Sequence, residues 1–122
     1  MQQTNDLSRR LLLLAAGLAG AVGVISAAGA SHAGESRNLS AISAICLAHG
    51  PALLALCAIG LDNRLFRFAA YLLAAGTFVF SADLGVREWL GHGAFPGAAP
   101  LGGVGMIGGW ALVVIGALFS RQ

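Results

Sequence analysis

The sequence has no lysine at all, and its aspartate, glutamate and arginine together make up 10% of 122 residues. A soluble domain of this length carries about a quarter. So little charge cannot cover a water-facing surface, so lipid has to solvate much of the chain. The net charge of +2 comes from arginine alone, and it is too weak and too dispersed for the basic face that a nucleic-acid partner requires. Cysteine is scarce as well. Cys46 and Cys57 are the only two, and their spacing matches neither a zinc nor a redox motif. On one helix they would lie about 16 Å apart, too far to pair, so they read as small apolar fillers. Also missing are a nucleophile–base pair, a phosphate-binding glycine loop, a carboxylate dyad and a heptad repeat. The expectation is therefore a chain that is not an enzyme, with no cofactor and no metal.

What is present is apolar: 57% of the residues are hydrophobic, with a mean hydropathy of +0.81. They gather into four runs, and a bilayer crossing needs about 20 such residues. The runs predict helices over about 11–31, 39–61, 66–89 and 101–119. A lone strand in lipid would leave its backbone unpaired, and the apolar residues are continuous rather than alternating, which excludes a barrel. The expected fold is an all-α membrane protein, a four-transmembrane-helix bundle forming a single domain over 1–122.

Between the runs lie a polar link (Gly34 to Asn38), a tight turn (Leu61 to Leu65) and a longer loop rich in turn formers (Gly91 to Pro100). The tight turn makes the second and third helices antiparallel neighbours. Pro100 suits a helix start, where its missing N–H would have no partner anyway. Arg9, Arg10, Arg64, Arg67 and Arg121 fall on one side of the bundle and Arg37 and Arg87 on the other. By the positive-inside rule both termini belong on the cytoplasmic side, in a bacterial inner membrane or its equivalent. A second reading of the first run stays open. "LSRRLLLLAAGLAG" resembles a secretory signal with a twin arginine, and Ala28 to Ala30 resembles a cleavage site. Small residues at four-residue steps (Ala15, Ala19, Gly23, Ala27) favour a retained packing helix instead.

The second run contains "ICLAHGPALL", Ile45 to Leu54. It places His49 about ten residues into the helix, near mid-bilayer, where an ionisable group is a functional candidate by default. The structural alternative is a neutral histidine bonded to a backbone carbonyl. Pro51 frees the Leu47 carbonyl by lacking an N–H, and Gly50 with Pro51 is expected to kink the helix. Asp83 and Arg87 stand at i,i+4 near the outer end of the third helix and are expected to pair. Asp83 has an alternative in the free amides opening the fourth helix, around Leu101 to Gly103. His32, at the outer end of the first helix, completes the expected polar cluster, which is either a proton port or a clamp between helices. Gly105 and Gly109 form a GxxxG pair for close helix approach. Trp110 sits mid-helix and is expected to pack inward, while Trp89 and Tyr71 suit the interfacial belts.

"FSADL" (Phe80 to Leu84), "PLGG" (Pro100 to Gly103) and "GGW" (Gly108 to Trp110) resemble the signature of the domain of unknown function 423 family, whose animal members are called transmembrane protein 256. "AAGASH" (Ala27 to His32) is similar to the family's small-residue segment ending in histidine, and His49 falls where the family has a histidine opening an apolar helix. Gly50-Pro51 departs from that pattern, and the stretch between the two histidine regions is shorter. The resemblance implies a small four-helix integral membrane protein and implies no activity. Partners follow from composition: the lipid bilayer first, then a larger membrane protein complex or a homo-oligomer. The expected role is a structural or accessory module. The alternative is a small proton or ion transporter or channel using His49 and Asp83.

Overall fold

The computed structural model describes residues 2–32, 34 and 36–120. Among these there are four helices and no strand: α1 (Gln2–His32), α2 (Arg37–Ile59), α3 (Arg64–Leu90) and α4 (Ala98–Phe119). All four are long and apolar enough to cross a membrane. Arg121, grouped by the sequence with Arg9, Arg10, Arg64 and Arg67, lies outside the described residues.

Local chemistry sets the ends of the helices. Ser36 caps α2, its hydroxyl accepting from the Leu39 amide at 3.2 Å, and Asn63 caps α3 by accepting from the Leu65 amide at 2.9 Å. Gly91 stops α3 in a left-handed conformation (φ 75°) that a side chain resists. All four helices begin earlier than hydropathy predicts, α1 and α4 by the most. α1 starts at Gln2 rather than near Leu11 because its polar first turns have somewhere to dock. Arg67 donates to Asn5 Oδ1 at 2.9 Å, Asn5 donates to Asp62 at 2.7 Å, and Tyr71 donates to Ser8 at 2.7 Å. α4 starts at Ala98, so Pro100 sits inside its first turn, where a missing N–H is still harmless.

The helices pack as two antiparallel pairs, α1 with α2 and α3 with α4, joined along α2 and α3. α1 meets α3 only slightly, and the α4 backbone packs on α3 alone. Lipid is as apolar as leucine, so burying apolar surface drives little association here, and close backbone approach must do the work instead. The seams show it. A Cβ on Gly76 would come within 2.6 Å of the Gly102 carbonyl, and one on Gly102 within 2.6 Å of the Phe80 nitrogen. Gly109 faces Leu73 in the same seam, and a Cβ on Gly105 would stand 3.6 Å from the Gly76 Cα. The GxxxG pair is thus spent inside the chain, and the tightest contact lies one turn earlier, at Gly102. On α1, Ala16, Ala19 and Gly23 are buried, which is the predicted stripe turned slightly. Large apolar side chains such as Leu14, Phe78, Ile107 and Leu118 point outward, where lipid receives them.

Candidate functional site

The polar groups within the bundle form three clusters at different depths. One, at the end of the bundle where α1 begins, is the docking of α1 just described, in which Asn5 bridges Asp62 and Arg67.

The middle cluster centres on His49, which is buried. Its Nδ1 lies 2.8 Å from the Ile45 carbonyl, and the Trp110 indole donates to its Nε2 at 3.1 Å. The geometry fixes the tautomer. An indole nitrogen only donates and a carbonyl only accepts, so Nε2 carries no proton and Nδ1 carries one. The imidazole is neutral with both nitrogens engaged. The two rings meet edge-on, their centroids 5.8 Å apart. The α4 backbone does not approach α2, so the Trp110 side chain reaches across to make this bond. Trp110 is therefore half inward, its nitrogen bound and 44% of the residue still exposed.

The "ICLAHGPALL" stretch lies within a single helix. α2 is continuous through Gly50 and Pro51. His49 takes the Ile45 carbonyl one turn back, not the Leu47 carbonyl that Pro51 frees. Gly50 serves as a contact rather than as a source of backbone freedom. A Cβ there would lie 3.1 Å from the Ala16 carbonyl and 3.3 Å from the Gly20 nitrogen, so the missing side chain is what lets α1 and α2 touch. Pro51 faces outward.

The third cluster, at the opposite end of the bundle, holds Asp83, which has no exposed surface. Arg87 Nε lies 2.9 Å from Asp83 Oδ2, as i,i+4 spacing allows. The other carboxylate oxygen accepts from the Ala94 amide at 2.7 Å. Asp83 thus gathers the α3–α4 loop, not the amides of Leu101 to Gly103. Gly93 lies against the pair so closely that a Cβ would come within 2.7 Å of Asp83 Oδ1. His32 is exposed at the end of α1. Glu88 makes the cross-helix contact instead, accepting from Ser36 at 2.7 Å and from Asn38 at 3.2 Å, and so tying the start of α2 to the end of α3. Nothing in the sequence marks Glu88, because its partners lie about fifty residues away. The exposed Trp89 beside it sits at the end of α3, as an interfacial indole should.

Cys46 and Cys57 are buried and free. Cys46 is more than a filler, since its sulfur lies 3.3 Å from the Ser81 hydroxyl. Among the described residues no three His, Cys, Asp or Glu side chains gather as metal ligands would. Chemically the arrangement consists of hydrogen bonds between helices: each cluster joins elements distant in sequence, and its donors and acceptors are matched.

Four long apolar helices, tied across by buried polar contacts, define an α-helical membrane protein. The chain belongs to the family described as Protein of unknown function (DUF423), whose sequence model matches residues 19–103. No curated protein and no solved structure matches it.

Proposed function

We propose that the protein is a non-catalytic structural or accessory module of a membrane, packing with a larger membrane protein complex or with further copies of itself. Its termini lie on the cytoplasmic side of a bacterial inner membrane or an equivalent one, as the arginine distribution favours. One observation carries the reading: His49 and Asp83, the two buried groups that a conduction pathway would use, are engaged by the chain itself. His49 is held at both nitrogens, and Asp83 by Arg87 and the Ala94 amide. A conducting site keeps its groups available to a passing ion, whereas these groups hold helices together. α1 and α4, each packed mainly on one neighbour, leave long apolar faces for lipid and partners.

The test is gentle solubilisation followed by mass analysis of what co-purifies, paired with proton and ion flux measurements in liposomes. A stoichiometric partner or a defined homo-oligomer, with flux no greater than in empty vesicles, is the expected result. A solitary protein that conducts, with the flux lost in His49→Gln or Asp83→Asn, would favour the transporter reading.

A further inference from the structure

α1 and α3 touch only slightly, and between them, over α2, lies a groove of about 410 Å³. It begins beside Ala15, Leu53 and Ala74 and runs outward to Ser26 and Trp89. Along α1 that is about 16 Å and along α3 about 22 Å at 1.5 Å per residue. One leaflet of the hydrocarbon core is about 15 Å thick. The inner end lies at the level where Gly50 meets Ala16, close to the middle of α2. The groove therefore spans a single leaflet, from the middle of the bundle to its outer end.

The walls are apolar except at the outer end. Ser26 is 7% exposed and lines the groove, and no hydrogen bond among the described residues engages its hydroxyl. A hydroxyl left unpaired in apolar surroundings costs free energy, so a groove occupant that accepts a hydrogen bond there would be held by it. Trp89, at the same end, offers an exposed indole at the interface. At about 410 Å³ the groove lies within the size range of small-ligand sites, and its span of one leaflet matches the reach of a single lipid tail.

We propose that this groove binds one acyl chain of an outer-leaflet glycerolipid, with the chain lying along α1 and α3 and its ester carbonyl accepting from Ser26. The site is independent of the His49 and Asp83 clusters, and its failure would leave the proposed role untouched.

The experiment places the protein in phosphatidylcholine nanodiscs containing a trace of phospholipid with a photoreactive diazirine midway along one chain, and maps the adducts by mass spectrometry. Adducts should concentrate on Val22, Phe78 and Ala82, severalfold above Ile107 and Val114 of α4, which are also exposed to lipid. Ala82→Phe should reduce groove labelling to the α4 level. Ser26→Ala, which removes no protein hydrogen bond, should leave thermal stability unchanged. It should cut groove labelling by the ester lipid about fivefold, the equivalent of one hydrogen bond, while leaving labelling by an ether-linked analogue unaltered. Uniform labelling of all four helices would overturn the proposal. So would an equal effect of Ser26→Ala on ester and ether lipids, or cross-links from one copy to another through Val22 and Phe78.

Discussion

Gly102 and Gly103 are adjacent in α4, and the structure predicts opposite outcomes when each is replaced by alanine. At Gly102 the new methyl would lie 2.6 Å from the Phe80 nitrogen, 2.7 Å from the Gly76 oxygen and 3.0 Å from the Phe80 Cα. All three are backbone atoms and cannot rotate away. Carbon contacts relax at about 3.5–4.0 Å, so α3 and α4 must separate locally by roughly 1 Å. Overpacking of this kind costs about 1–3 kcal/mol, and separation also opens the seam at Gly109. At Gly103 nothing lies within 4 Å of the added carbon, and only the helix preference for alanine over glycine remains, a gain of about 1 kcal/mol. Gly102→Ala enjoys that gain too, so the two variants should differ by about 1–3 kcal/mol, the clash alone. Detergent-driven unfolding in mixed micelles, followed by tryptophan fluorescence, measures the difference directly. Equal stability of the two variants would refute the close α3–α4 seam.

Arg87→Ala should lower the midpoint of thermal unfolding, because a buried carboxylate loses its counter-charge, and Asp83→Asn on top of it should recover part of the loss. Additive effects in that double-mutant cycle would deny the pair. Trp110→Phe should cost about 1 kcal/mol through the lost bond to His49. His49→Gln should be tolerated better than His49→Leu, which strands the indole N–H; the reverse order in unfolding midpoints would contradict the contact. Single cysteines at Arg64 and His92, in a background lacking Cys46 and Cys57, should react with an impermeant reagent from opposite sides of the membrane. Reaction from one side only would break the four-span topology.

The number of helices and their order were legible because length and hydropathy decide whether a run crosses a bilayer, and neither needs knowledge of a partner. The Asp83–Arg87 pair was legible for a similar reason, since i,i+4 geometry is local. Contacts between distant segments were not. Glu88 found Ser36 and Asn38, and Trp110 found His49, through the way two helical pairs lean together, which no spacing encodes. The early start of α1 was hidden because hydropathy scores Gln2 to Arg10 as polar, whereas Asn5 and Ser8 are ordered by Asp62, Arg67 and Tyr71. Beside Pro51 in the sequence, Gly50 suggests a kink, whereas the Ala16 carbonyl across the seam, 3.1 Å from where its Cβ would lie, is a contact that no spacing reveals. His32 lies towards the same end of the bundle as Asp83, but depth alone does not bring it into contact.

The central claim is that the histidine in the membrane interior holds helices together, with its proton on Nδ1 and its Nε2 accepting from Trp110. Solid-state NMR of the protein labelled with 15N at histidine and tryptophan, in lipid bilayers at neutral pH, tests this most directly. The account predicts a protonated Nδ1, a bare Nε2 and a correlation from the Trp110 indole proton to that Nε2. A His49 ring protonated at Nε2, as the other tautomer or as imidazolium, would contradict it.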